Sequence, residues 1–245
     1  RWFNAVLADL SPDKLPEIEM LPFVKKIEGN IFGKMVLAAN YDTLLKAEDK
    51  RLLENQINRL QGNLFHAEGL TGKGIRIAVF DAGFPGVNKL PVFNHLIKNN
   101  QIKGSWDFAR KKPDVYSGNP HGTMVLSCIA GKLNNRILGM AVDAEFLLAR
   151  TEIERESFVE EQYWLQAVEW ADKNGADIIS SSLAYTYERY YTFEMNGETS
   201  LVARAANLAA TKGMLVINAM GNDGGSDWKI LATPADADSV LSVGS

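Results

Sequence analysis

The chain is poor in the residues that hold small secreted domains and metal centres together. Among its 245 residues there is one cysteine, Cys128, and only three histidines. One cysteine excludes an intrachain disulfide, so the fold must be held by packing. His66 and His95 show no metal-ligand spacing, which argues against a zinc site. There is no excess of positive charge: 26 Lys and Arg stand against 30 Asp and Glu, and no basic stripe supplies a phosphate footprint, so a nucleic-acid partner is disfavoured. No apolar run approaches the roughly 18 residues that span a bilayer. Repeats and low-complexity tracts are absent. Gly72-Lys73-Gly74 precedes an apolar run, whereas a phosphate-binding loop follows one. Gly83-Phe-Pro-Gly86 supplies no dinucleotide fingerprint, so a doubly wound cofactor-binding domain is set aside.

What remains is an ordinary globular composition, 46% hydrophobic and 23% charged, long enough for one sizeable domain with a small appendage. Residues 1–29 read as strand, helix, strand. Ser11-Pro12 supplies an N-cap followed by proline at the first helical position, and Pro22 closes the run. Residues 41–60 are charged with scattered leucines, consistent with a linker or a loosely packed helix, and residues 30–61 are assigned as linker. From Gly72 a strand–helix alternation begins. Ile75 to Phe80, Glu145 to Arg150, Asp177 to Leu183, Met214 to Ala219 and Ser239 to Val243 read as nearly all-apolar strands. Between them, His121 opens a helix to about Ala130, Ser157 and Glu160 form a capping box for a helix closed by Asn174-Gly175, and a helix over 201–211 stops at Gly213. Apolar strands alternating with helices predict an α/β fold, a doubly wound, mostly parallel sheet with helices on both faces. In such sheets chemistry sits beyond the carboxyl ends of the strands.

Three polar residues occupy that kind of position. Asp81 ends the strand Ile-Ala-Val-Phe, where a carboxylate is costly unless paired. His121 stands at a helix N-terminus, whose dipole disfavours an imidazolium, so it wants a counter-charge. Asn222, after Ala219-Met-Gly221, is an amide able to face a developing oxyanion. Each has an ordinary alternative as a cap, a structural histidine or a turn asparagine. Together an Asp–His pair is two-thirds of an acyl-transfer triad.

The motifs around these residues resemble those of subtilisin-like serine peptidases. The run from Gly72 to Gly83 resembles the strand with the family's catalytic Asp, and His121-Gly-Thr123 its histidine motif. Ile178 to Ala184 resembles the specificity strand, and Ala219 to Gly224 the segment with the oxyanion asparagine. Four motifs in order cover residues 62–245, assigned as an incomplete peptidase domain. The resemblance implies that Asp81 orients His121, that His121 is base and then acid, and that Asn222 binds the oxyanion. It implies that Ser182, Leu183 and Ala184 pair with an extended polypeptide substrate, and that Ala219, Met220 and Gly221 line the pocket before the scissile bond. Ala82 stands where the family more often has a hydroxyl residue, and Ala184 where it has glycine. Leu133 to Ile137 resembles a calcium-binding loop of some members but is shorter, so it reads as a plain turn. No cofactor is assigned, and calcium stays an open alternative.

The family's nucleophile lies in a Gly-Thr-Ser motif, and none occurs in these 245 residues. Neither end reads as a natural terminus, so a longer natural protein is expected, with this chain inactive alone. Residues 1–29 resemble the C-terminal half of the family's inhibitory prodomain, with Val24 and Ile27 in its final strand. The prodomain is then a partner in cis, cut from the domain between about residues 28 and 60. Secretion or a cell-envelope location follows from the family alone. A non-catalytic peptide-binding relative is the alternative. Cys128 is read as a buried packing thiol, Trp164 and Trp170 as core and rim. Glu160 and Glu161 are read as solvated helix charges, with a weaker reading in which they face the groove and favour basic substrate side chains.

Overall fold

The computed structural model describes residues 11–22, 24–25, 47–134, 136–153, 159–186 and 189–244. By internal contacts the chain divides into two units, Arg1–Leu44 and Leu45–Ser245. In the first, a 3₁₀ turn at Pro12–Lys14 leads into a short helix, α1 (Leu15–Glu19). The N–H of Val24 returns to Leu21 O, so the chain turns here, and among the described residues 24 and 25 pair with no strand. The rest of the strand read at 23–28, Ile27 included, and the strand read at 2–8 lie outside the described residues.

The second unit opens with two helices, α2 (Ala47–Asn58) and α3 (Gly62–Ala67). Of the two readings open for residues 41–60, helix is the one that 47–58 adopts, with Ile57 buried. The centre of the unit is a six-stranded sheet. Its strands are β1 (Arg76–Asp81), β2 (Ile102–Asp107), β5 (Glu145–Arg150), β6 (Ile178–Ser181), β7 (Leu215–Ala219) and β8 (Val240–Val243). They lie in the order β2-β5-β1-β6-β7-β8, and every pairing is parallel.

Alternation along β1 divides the core in two. Ile77 and Val79 join the cluster of Leu96, Leu126 and Ala130, from helices α4 (Asn94–Lys98) and α5 (His121–Ala130). Ala78 and Phe80 join the opposite cluster, with Trp164 and Ala167 from α6 (Val159–Lys173) and Val202 and Ala206 from α7 (Leu201–Thr211). A sheet covered on both faces needs near-continuous apolar strands, which is what the sequence shows. Gly175, at φ +68°, ends α6 where Asn174-Gly175 was read as its stop. The residue proposed to cap the start of that helix, Ser157, lies outside the described residues.

Trp164 is fully buried, meets Phe80 edge to face at 5.7 Å, and donates from Nε1 to Ser181 Oγ at 3.1 Å. Its removal leaves a large void and orphans a hydroxyl. Trp164→Ala is expected to lower stability by about 3–5 kcal/mol, measured as a shift in the urea midpoint. Trp170 is half-buried at the edge of the same cluster, as core-and-rim packing predicts.

Two expectations are corrected. Cys128 is exposed rather than buried. The buried face of α5 carries Gly122, Thr123, Leu126 and Ala130, and Cys128 lies two residues, or about 200°, from Leu126. Glu160 and Glu161 are not solvated: their exposures are 0% and 3%. The loop that resembled a calcium site is a tight hairpin between β3 (Lys132–Leu133) and β4 (Arg136–Ile137), with Asn134 in the left-handed region. Among the described residues no group of three His, Cys, Asp or Glu could hold a metal ion, and no helix is long and apolar enough to cross a membrane.

Candidate active site

Because the strands are parallel, their carboxyl ends share one edge of the sheet. Asp81 ends β1 there and is fully buried. Beyond it the chain reaches α5, whose first residue is His121. Asn119 Oδ1 accepts the His121 N–H at 3.0 Å, which satisfies one of the orphan donors of the helix start. The ring then turns its Nδ1 onto Asp81, 2.9 Å from Oδ1 and 3.0 Å from Oδ2. The Ala82 N–H donates to Oδ1 as well, at 2.7 Å. Burial pushes the Asp81 carboxyl up from its ordinary range, while the hydrogen bonds from His121 and Ala82 pull it back. An ionised Asp81 holds the proton of the ring on Nδ1. Nε2 is left with a lone pair on a side chain that is 45% exposed. This is the arrangement a general base requires.

Thr123 fastens the same turn, its Oγ1 donating to Pro85 O at 2.9 Å. Gly122 permits it: a Cβ there would sit 2.5 Å from Gly83 O and 2.8 Å from Asp81 Cβ.

The other residues named from sequence lie on the same edge. Pairing of β6 with β7 ends at Ser181 and Asn218, and Ser182, Leu183 and Ala184 run on beyond it. Ser182 is half-buried, Leu183 buried and Ala184 exposed. Among the described residues, the N–H and C=O groups of Ser182 and Ala184 make no hydrogen bond. Ala219, Met220 and Gly221 are half-buried at the end of β7. A Cβ built on Gly221 would lie 3.8 Å from Ala184 Cβ, so the two segments face each other across a narrow gap. Asn222 is exposed and starts the 3₁₀ turn Asp223–Gly225, two strands from Asp81 in the order β1-β6-β7. The direct side-chain contact among the three polar residues is that of Asp81 with His121. A hollow of about 310 Å³ elsewhere, lined by Glu54, Ile57, His66 and Arg136 among others, includes none of these residues.

Asn218 is a site residue that the motifs did not single out. Buried on β7, it donates from Nδ2 to Leu183 O at 2.9 Å and so fixes the run beyond β6. A lone amide inside an otherwise apolar strand was the signal available. Glu152, two residues past β5, is another: its Oε1 accepts the Tyr185 hydroxyl at 2.7 Å. Behind it Glu160 pairs with Arg189, the Tyr190 hydroxyl donates to Glu161, and the Arg189 guanidinium lies 4.4 Å over the Tyr185 ring. These bonds turn Glu160 and Glu161 inward, so the reading that sets them in the groove has no support here.

Burial, with the charge of Glu160 adding to it, pushes Glu152 up to about 8, against the opposing pull of Tyr185 and Arg189. A carboxyl raised above its unfolded value contributes fully below that value, and its contribution is lost as pH rises through the folded one. Stability is therefore expected to fall between about pH 4.5 and pH 8 through this group. Glu152→Gln should flatten that slope, so that the variant gains stability relative to the parent as pH rises toward 8.5. Thermal melts of both proteins from pH 5 to pH 9 check this, and parallel slopes would contradict it.

Several known proteins share the sequence pattern and the fold of this chain. The model of the subtilase family of peptidases matches residues 72–245. An alkaline protease of Alkalihalobacillus alcalophilus is 29% identical over 234 residues, 95% of this chain and 52% of that protein. Subtilisin BL of Lederbergia lenta is 32% identical over 186 residues, 75% of this chain and 61% of that protein. The solved structure of the prenylagaramide maturation protease PagA superposes with a TM-score of 0.56 at 25% identity, covering 75% of this chain and 58% of that one. The chain thus spans between half and two-thirds of the length of these relatives.

Proposed function

The chain belongs to the subtilase family, and on that footing we propose that it carries the base, the oxyanion donor and the substrate strand of a subtilisin-type serine endopeptidase. The observation that carries this reading is the Asp81–His121 pair at the carboxyl edge of a parallel sheet. His121 Nε2 takes the proton of a serine hydroxyl as its oxygen attacks the peptide carbonyl. Asp81 keeps the ring in the required tautomer and stabilises the imidazolium that forms. The Asn222 amide donates to the oxyanion of the tetrahedral intermediate. His121 then returns the proton to the departing amine, and water releases the acyl group by the same steps. The open backbone groups of Ser182 and Ala184 would receive an extended polypeptide as an added strand. Ala219, Met220 and Gly221 would line the pocket for the residue before the scissile bond, and the Ala184 methyl would narrow the substrate groove.

No Gly-Thr-Ser occurs in the sequence, so we assign the nucleophile to residues outside it and expect these 245 residues alone to be inactive. Residues 1–29 are assigned, by resemblance, to the inhibitory prodomain. By internal contacts they fall in the unit Arg1–Leu44, which supports that. By the family, the protein acts outside the cytoplasm or at the cell envelope. The same missing motif favours a second reading, a peptide-binding relative that has lost its nucleophile. Kinetics of the whole protein on a peptide substrate separate the two. In an enzyme, Asn222→Ala should lower kcat by on the order of 10²–10³-fold, the size such donors have in serine peptidases, with KM little changed. A whole protein that binds the peptide without cleaving it would support the second reading instead.

A further inference from the structure

The sequence puts Ala82 where a hydroxyl would be expected to support Asp81, yet the turn is held firmly by other means. Both peptide groups flanking Ala82 are fixed from the end of β5 and the residue after it. Thr151 N–H donates to Asp81 O at 3.0 Å, and Arg150 Nε donates to Ala82 O at 2.9 Å. Arg150 is the register partner of Asp81 across the β1–β5 pair. Its side chain is 5% exposed, and its Nη1 donates to Asp107 Oδ2 at 2.9 Å; Asp107 is fully buried at the end of β2.

The network also reaches the segment that leads into His121. Asp107 Oδ1 accepts the Arg110 N–H at 2.8 Å, and Arg110 Nη1 donates to Ser117 Oγ at 2.8 Å. Gly118 pairs with Gly83 as an isolated antiparallel bridge. A Cβ on Gly118 would lie 2.7 Å from Ala82 O and 3.0 Å from Arg150 Nε. The guanidinium is therefore enclosed by the turn that carries Asp81 and the segment that delivers His121. A buried ion pair seldom adds stability over apolar residues of the same volume. Its planar donors do fix directions, which a flexible ammonium on a single stem does not.

We propose that Arg150, held by Asp107, is a positioning residue that sets the Asp81–His121 hydrogen bond. Its catalytic meaning rests on the function proposed above; the positioning itself does not. The test is the His121 Nδ1–H resonance in proton NMR of the protein. The double variant Arg150→Met with Asp107→Leu removes both charges together and so leaves no unpaired buried ion. In that variant the resonance is expected to move upfield, with proton exchange at least 10-fold faster. Arg150→Lys, which keeps Asp107 paired, should give a smaller acceleration of about 3-fold. An unchanged resonance and exchange rate in the folded double variant would overturn the proposal. If that variant does not fold, unchanged exchange in Arg150→Lys overturns it and accelerated exchange supports it. The readout is the ring proton, so it is separate from hydrolysis. A shifted resonance in a whole protein without peptidase activity would keep the clamp and remove the catalytic reading, and an unmoved resonance in an active one would do the reverse.

Discussion

Replacing Asp81 by Asn is expected to reduce peptide hydrolysis by the whole protein by roughly 10⁴-fold in kcat, the scale on which losing a triad member acts in serine peptidases. The change removes almost no volume from a fully buried site, so its effect on packing is small. Its effect on His121 is large. The carboxylate accepts from Nδ1 at 2.9 and 3.0 Å, whereas an amide can turn an N–H toward the ring and force the proton onto Nε2. The base is then occupied before the reaction begins, and the imidazolium has no counter-charge at the N-terminus of α5. KM should change little, because Asp81 lies behind the ring and does not touch substrate. His121→Ala should lose at least as much. Steady-state kinetics on one peptide substrate check both, and a kcat within tenfold of the parent for Asp81→Asn would contradict the assigned role.

Gly122→Ala is expected to lose activity and stability together. In an open helix this substitution would be favourable by about 1 kcal/mol. Here the added methyl would meet Gly83 O at 2.5 Å, Asp81 Cβ at 2.8 Å and Phe84 Cε1 at 2.9 Å. The first of these is backbone and cannot rotate away, so the start of α5 must lift from the turn after β1. A displacement near 1 Å lengthens the Asp81–His121 contact and should cost on the order of 10²-fold in kcat. Overpacking should also remove about 1–3 kcal/mol of stability. The control is Gly224→Ala, where a Cβ would meet nothing within 4 Å. Parallel melts of the two variants separate the local clash from any general intolerance of substitution.

How much of this was legible in the residues varies with how far the deciding contact lies along the chain. The strands β1, β5, β6 and β7 are short apolar runs between turn residues, and all four can be read from periodicity. The edge strand β2 was not read as one. Lys103, Gly104 and Ser105 interrupt it, and only its last residue, Asp107, is buried. An edge strand with one neighbour does not need the apolar continuity that betrays a central one. Asp81 and His121 were visible as polar residues at a strand end and a helix mouth. Their contact joins positions 40 apart and could be inferred but not measured.

Glu160 and Glu161 were misread for the same reason. Acidic residues in the first turn of a helix are ordinarily solvated, and the Arg189 and Tyr190 that turn them inward both lie 29 positions away. Arg150 at the end of an apolar strand gave a local hint of a buried charge. Asp107, which completes the pair, lies 43 positions earlier and gave none.

His121, oriented by Asp81, is proposed to activate a serine. The most direct measurement is covalent labelling of the whole protein with a fluorophosphonate, with the modified residue mapped by mass spectrometry. One adduct is expected, on a serine outside these 245 residues, and it should be lost in the His121→Ala variant. No adduct on a folded whole protein, or an adduct that forms equally well without His121, would contradict that role.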